Sequence, residues 1–315
     1  MIIPDQPRSS SGTLAPDMVL LSAALVWGST FSLVKQALGH TTPFMFLTMR
    51  FGLALAIITI PIIWRGLAAT RRGHSWLQIT RREWIGGILT GVALFVGFTF
   101  QTWGLVYTSA SRSAFITGLN VLLVPFFLWG LGHQIISTKR WISVALAAGG
   151  LYLLIDPAAG NSINLGDGLT LVCAVAFAGQ IILLGIYAPT VDTLRYFWVQ
   201  LLTMVVLSAL SVLATGSAQL RPDPALWWGL VITGVLGTAG AFLGMTWAQR
   251  RVSPTRTALF LTTEPVFGAL YAVMLAGEYL SPTAWLGGLL IVTVVVWAEL
   301  GAVSRPAGLA EHGSG

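Results

Sequence analysis

WGLVYTSASR, residues 103–112, and WAQRRVSPTR, residues 247–256, stand 144 positions apart and align Trp103 with Trp247, Ser109 with Ser253 and Arg112 with Arg256. The same displacement sets Trp84 on Trp228, Trp141 on Trp285 and Ser137 on Ser281. Nearer the N-terminus the register is 150, which brings Asp17 onto Asp167, Trp27 onto Phe177 and Arg50 onto Gln200. Self-similarity at a fixed period is the mark of a repeated unit. Two homologous halves are therefore expected, residues 14–156 and 165–304, with polar tails at 1–13 and 305–315.

The medium in which these halves fold follows from composition. Hydrophobic residues make up 55% of the 315 and charged residues 9%, against a soluble average of about 25% charged; mean hydropathy is +0.80. Ten apolar stretches can be drawn: 17–38, 43–64, 84–103, 109–131, 141–155, 167–188, 194–214, 225–248, 254–276 and 283–301. Most approach the ~20 residues that cross ~30 Å of hydrocarbon, the fifth being short. Lipid offers the backbone no partner, so the spans should be helices. The expected fold is an all-α integral membrane protein of ten transmembrane helices. The first thirteen residues, with Pro4, Asp5, Pro7 and Arg8, do not read as a cleavable signal. The lone Cys173 lies mid-span and implies neither disulfides nor redox chemistry.

Charge gives the orientation. With the N-terminus in the cytoplasm, Arg8, Arg65, Arg71, Arg72, Arg81, Arg82, Lys139, Arg140, Arg195, Arg250, Arg251 and Arg305 fall inside, leaving Lys35, Arg112 and Arg221 outside. The positive-inside rule thus puts both termini in the cytoplasm. The pI near 10.0 reflects this sorting rather than a nucleic-acid patch. Five spans per half is odd, so the halves enter the membrane in opposite senses, joined by an outer loop at Pro157–Gly166. Inverted repeats point to transporters whose site lies at the midplane between the halves.

Several motifs resemble a known family. Trp27-Gly28-Ser29-Thr30-Phe31, Pro43 with Arg50-Phe51, and Tyr107-Thr108-Ser109-Ala110-Ser111-Arg112-Ser113-Ala114 match the first half of the EamA family of the drug/metabolite transporter (DMT) superfamily. Ser253-Pro254-Thr255-Arg256, Glu264-Pro265-Val266-Phe267, Gly277-Glu278 and Trp285-Leu286-Gly287-Gly288 resemble the second half more closely. Within that family the chain is similar to bacterial YddG-type exporters of aromatic amino acids, which implies a ten-helix inner-membrane exporter. The first half departs from the pattern, with Asn120-Val121 in the Glu264-Pro265 place and Gln134 in that of Glu278.

Depth within the spans selects the candidate site. Glu264 is about ten residues into its span, ~15 Å deep at 1.5 Å per residue. A carboxylate there costs at least ~2.5–3.5 kcal/mol and should face the interior or a cavity. Pro265 leaves the carbonyl of Leu261 without a donor, and Thr262 and Thr263 extend the polar notch. Asn120 holds the related depth in the other half, with Thr117 one turn away. Either Glu264 couples protons or meets a substrate ammonium, or it is tied to an arginine or tyrosine as a structural pair. Arg50, ~10 Å below the outer surface, reads first as a snorkelling or structural group and second as a partner for a substrate carboxylate. Trp27, Phe31 and Phe98 could wall an aromatic pocket, with Thr30, Gln101 and Gln180 bonding the polar end of a ligand; lipid-facing or packing aromatics would give the same pattern. Trp64, Trp84, Trp141, Trp227, Trp228 and Trp285 mark span ends and read as interface anchors. Gly234, Gly237, Gly240 and Gly244 form a stripe for close helix approach. The substrate-binding set is thus Trp27, Thr30, Phe31, Phe98, Gln101, Thr117, Asn120, Gln180, Thr262 and Glu264.

Other classes fit poorly. Metalloprotease, nucleophile-elbow and phosphate-loop motifs are missing from the sequence, so neither an enzyme nor direct ATP use is expected. A channel would need a filter or charged ring. No cofactor or metal is expected. The partners are a small-molecule substrate and the lipid bilayer, not nucleic acid, and a monomer suffices. Export of small zwitterionic metabolites, aromatic and other neutral amino acids first, is the leading reading. A nucleobase, nucleoside or drug exporter, or a non-transporting membrane scaffold, are the alternatives.

Overall fold

The computed structural model describes residues 14–70, 78–130, 138–156, 162–252, 257, 260–261 and 263–303. Both tails, Gln134, Ser137, Arg256 and the expected site residue Thr262 lie outside them. The described residues fold into helices: α1 (Leu14–Ala37), α2 (Pro43–Thr70), α3 (Arg81–Tyr107), α4 (Ala110–Gly118), α5 (Asn120–Gly130) and α6 (Thr138–Ile155). The second half gives α7 (Leu165–Tyr187), α8 (Thr193–Thr215), α9 (Pro224–Val231), a π-helical segment (Ile232–Gly240), α10 (Ala241–Ala248), α11 (Glu264–Ala276) and α12 (Pro282–Val303). No strand forms among the described residues; one backbone bridge, Thr41 to Leu220, joins two loops. Seven helical stretches are long and apolar enough to cross a bilayer, α4 with α5 and α9 to α10 each counting as one; Trp141–Ile155, Glu264–Ala276 and Pro282–Val294 are shorter apolar helices.

Large apolar side chains such as Ile63, Leu67, Leu213, Leu286 and Leu289 are exposed around the bundle, as lipid contact requires. All six tryptophans expected as anchors are exposed too. Inside, α3 packs against α7 and α8, α2 against α8 and the π segment, α1 against α9, α10 and α11, and α6 against α12. The last pair meets closely: a Cβ on Gly287 would stand 2.5 Å from the carbonyl oxygen of Gly150. Only a residue without a side chain lets the two backbones touch there.

Polar groups are confined largely to the bundle's ends and its centre. At one end Glu83 pairs with Arg195, Arg82 Nε donates to Thr190 Oγ1 at 2.7 Å, and Arg250 Nη1 donates to Thr193 Oγ1 at 3.0 Å. At the other, Asp167 accepts from Arg112 Nη2 and Thr108 Oγ1, each at 2.6 Å. Arg112 Nη2 also donates to Ser162 O at 3.1 Å, tying the start of α4 to the loop before α7. The Glu278 carboxylate caps α4 by accepting from the N–H groups of Ala110 (2.7 Å) and Ser111 (3.1 Å). Lys35 Nζ reaches the carbonyls of Leu105 and Thr108 at the end of α3.

Three spans depart from plain helix, and all three departures shape the centre. The fourth expected span, 109–131, turns at Leu119, so that Asn120 opens α5. The ninth turns at Thr263, so that Glu264 opens α11, with Pro265 in the first turn where its missing N–H costs nothing. The two breaks meet: the Pro265 ring packs where Gly118 lacks a side chain. The eighth span is interrupted by the π segment, and i→i+5 turns are frequent at functional sites. That winding also corrects the expected glycine stripe. Gly234 faces α2 and Gly237 the angle between α1 and α2, but Gly240 is exposed, rotated off the face by the wider turn.

Candidate functional site

At the centre is a cavity of about 40 Å³. It is lined by Trp27 and Thr30 of α1, Arg50 of α2, Phe98 and Gln101 of α3, Asn120 of α5, Phe177, Gln180 and Ile181 of α7, Phe242 and Met245 of α10, then Leu261 and Glu264. Seven of the ten residues singled out in the sequence therefore meet here: Trp27, Thr30, Phe98, Gln101, Asn120, Gln180 and Glu264. Phe31 does not. It is 2% exposed and packs with Val34, Phe46, Leu105 and Ala114, because its turn of α1 faces α4 and α11, one position round from Thr30. Thr117 stands behind the wall rather than in it, accepting from Gln101 Nε2 at 3.3 Å, since the turn at Leu119 separates its face from that of Asn120.

The wall is aromatic. Phe98 is its hub, with ring centroids 5.1 Å from Phe177 and 5.8 Å from Phe242, while Trp27 lies 4.7 Å from Phe242. These are tilted and edge-to-face contacts, the favoured geometry for ring pairs. The Trp27 indole N–H donates to Gly237 O at 2.7 Å, so the π segment fixes that ring with one of its own carbonyls.

Arg50 overturns its snorkelling reading. It is 1% exposed, covered by the π segment, where a Cβ on Gly234 would stand 3.1 Å from Arg50 O and one on Gly237 3.6 Å from Arg50 Nη2. Its Nε donates to Thr238 Oγ1 at 2.9 Å, and Thr238 Oγ1 donates in turn to Thr233 O at 2.8 Å. The guanidinium lies 4.6 Å from the Phe98 ring centroid and 5.4 Å from that of Phe51. Arg50 Nη2, Asn120 Oδ1 and Gln180 Nε2 are buried without a hydrogen-bond partner. The ion pairs found among the described residues are His40–Asp223, Arg112–Asp167 and Arg195–Glu83. Arg50 and Glu264 are in none of them, so the structural pairing considered for Glu264 does not occur there.

Thr238→Val keeps the size of the side chain and removes the hydroxyl that holds Arg50. It is expected to cost about 1.5–3 kcal/mol of stability, the share of one bond to a charged group. Thr238→Ser should restore most of it, as read by thermal melting of the purified protein.

The wall also carries the sequence repeat. Displacement by 150 pairs Trp27 with Phe177 and Thr30 with Gln180; displacement by 144 pairs Phe98 with Phe242, Gln101 with Met245 and Asn120 with Glu264. Both members of each pair line the cavity. Phe177, Phe242 and Met245, absent from the expected set, were thus findable by applying the displacement to residues already chosen. Ile181 and Leu261 follow from the same operation, as the counterparts of Phe31 (by 150) and Thr117 (by 144), although those two do not themselves line the cavity.

A helical bundle of apolar, lipid-facing spans closed around a central cavity of aromatic and polar side chains has the architecture of a multi-pass membrane transporter. The chain belongs to the EamA-like transporter family, whose model matches residues 14–156 and 164–299. An uncharacterized transporter of Archaeoglobus fulgidus is 32% identical over 289 residues, 91% of this chain and 86% of its own. The uncharacterized inner membrane transporter YedA of Escherichia coli is 26% identical over 302 residues, covering 91% and 92% of the two chains. A crystal structure 23% identical in sequence superposes with a TM-score of 0.68 over 94% of this chain and 99% of its own, a likeness of fold.

Proposed function

We propose that this transporter exports small zwitterionic metabolites, aromatic and other neutral amino acids first, by alternating exposure of the central cavity. One observation carries the reading: a guanidinium and a carboxylate, Arg50 and Glu264, face the same aromatic cavity and do not pair with each other. An α-carboxylate would fork onto Arg50, an α-ammonium would meet Glu264, and the Trp27–Phe98–Phe177–Phe242 wall would stack the side chain. Asn120, Gln180, Gln101 and Thr30 add bonds that fix its orientation, with Thr117 behind them. At 10–15 Å³ per water the cavity admits about three waters, far below the ~300–1,000 Å³ of a ligand pocket. Loading a substrate requires the walls to part, and the breaks at Leu119, Thr263 and the π segment are where the helices would give.

Ten spans in two inverted halves, 14–156 and 165–304, complete the proposal. Matched packing supports it: α1 lies against α9, α10 and α11 as α7 lies against α3, α4 and α5, and α2 meets the π segment as α8 meets α3. Both termini are placed in the cytoplasm of a cell whose inner (plasma) membrane holds the protein. Charge supports that too, since Arg65, Arg81, Arg82, Arg195, Arg250 and Arg251 share one side. Cys173 is the sole cysteine and is buried, so Cys173→Ser makes a clean background. On it, Arg221→Cys is expected to react with an impermeant maleimide in intact cells, and Arg82→Cys only after permeabilisation; the reverse result inverts the topology.

Transport itself is tested with proteoliposomes loaded with labelled phenylalanine or tryptophan, with and without a proton gradient. Competition by phenylalanine above lysine and threonine supports an aromatic pocket. Uptake of nucleosides but of no amino acid would replace this reading by the nucleoside alternative.

A further inference from the structure

The cavity wall is made of matched positions from the two halves, and among its described residues only Arg50 and Glu264 are charged. The counterpart of Glu264 is Asn120, neutral and in the wall; the counterpart of Arg50 is Gln200, 1% exposed and outside the wall. Each half therefore contributes one charge that the other half lacks. Three polar atoms around them, Arg50 Nη2, Asn120 Oδ1 and Gln180 Nε2, are buried and unpartnered, on side chains 1%, 6% and 2% exposed. A neutral two-fold frame would bind a ligand in either sense. Two unlike charges on separate halves would not.

We propose that Arg50 and Glu264 are the specificity-determining pair, holding a dipolar ligand one way round, its carboxylate toward α2 and its ammonium toward α11. This rests on the amino-acid reading above and goes further: charge selection belongs to these two side chains alone, and shape selection to the rings. Neutralising Glu264 turns the site into one for aromatic monocarboxylates. Neutralising Arg50 turns it into one for aromatic amines. In each variant the zwitterion brings a charge with nothing to meet it, and a site built to bond a group rejects ligands that mismatch it.

The test is calorimetric titration of purified protein in detergent with phenylalanine, 3-phenylpropionate and phenethylamine. Binding is read rather than flux because the two analogues cross bilayers unaided. The wild type should favour phenylalanine over either analogue by about tenfold or more. Glu264→Asn should favour 3-phenylpropionate over phenylalanine, and Arg50→Gln should favour phenethylamine, each by about tenfold. Both variants install the residue that the other half carries at the related position. Arg50→Lys, which retains the charge, should keep the wild-type ranking. Variants that elute as the wild type yet keep its ranking, or lose all three ligands alike, overturn the proposal. Where a single variant fails to elute, Arg50→Gln with Glu264→Asn leaves no lone charge. It should then bind 2-phenylethanol better than phenylalanine, and persistence of the phenylalanine preference overturns the pair's role. A wild type that binds no amino acid defeats the transport reading itself, whereas one that binds phenylalanine without crossover in the variants defeats this inference alone.

Discussion

Arg50→Met is expected to slow amino-acid transport by about 10- to 100-fold, the value of one or two bonds between a guanidinium and a carboxylate, while leaving the folded protein as stable as before or more so. The two effects have one cause. Arg50 is 1% exposed, and taking a guanidinium out of water costs several kcal/mol unless its bonds are replaced. Here the replacement is partial: one bond to Thr238, two aromatic faces, and a terminal nitrogen with no partner. Methionine fills much of the volume of the stem and carries none of that cost. Cores that hold a charge for function usually become more stable when it is removed. Flux into proteoliposomes and thermal melting of the solubilised protein should thus move in opposite directions. A melting temperature that falls together with flux would mean that Arg50 is structural, holding the π segment in place through Thr238.

The helices were legible because lipid leaves few choices. A chain with 9% charged residues in ~20-residue apolar runs must be helical, and equal displacement of Trp, Ser and Arg marks the halves without reference to coordinates. Depth took Glu264 to the centre, and the displacement of 144 took Asn120 there with it. What depth does not give is the face of a helix. Thr30 and Phe31 are neighbours in sequence, yet one lines the cavity and the other fills the seam between α1, α4 and α11. Hydrophobicity cannot separate them in a bundle whose outside is also apolar.

Arg50 shows a second limit. Counting residues from the end of a span measures distance to the surface, and at ~10 Å an arginine can reach water if nothing lies above it. What lies above it is the π segment, whose winding is not written in any hydropathy pattern. Its glycines looked like an ordinary stripe, and only the i→i+5 turns reveal why Gly234 presses on α2 and Gly237 on α1 while Gly240 does neither. The bonds from Trp27 to Gly237 and from Arg50 to Thr238 follow from the same winding.

Glu83→Leu is expected to destabilise the protein by about 3–5 kcal/mol, the usual result of removing one member of a buried ion pair. Glu83 is 1% exposed although it lies within the first turn of α3. Its Oε1 accepts from Arg195 Nε (3.0 Å), Arg195 Nη2 (2.9 Å) and the Asp192 N–H (3.1 Å), and its Oε2 accepts from the Thr80 N–H at 2.7 Å. One carboxylate thus closes the capping box of α3 and ties it to the start of α8. Thr80-Arg81-Arg82-Glu83 is a T-x-x-E pattern that announces the capping box from sequence; the tie to Arg195, 112 residues on, is visible only in the fold. Leucine would leave a guanidinium and two backbone N–H groups without that acceptor. The melting temperature of the solubilised protein should fall by roughly 10 °C. Glu83→Gln, which keeps an acceptor and loses the charge, should fall less. Adding Arg195→Met to Glu83→Leu should recover part of the loss, since the guanidinium that lost this acceptor is then gone. A Glu83→Leu protein melting within about 2 °C of the wild type would show that α3 and α8 are held by their apolar faces, with the ion pair contributing nothing measurable.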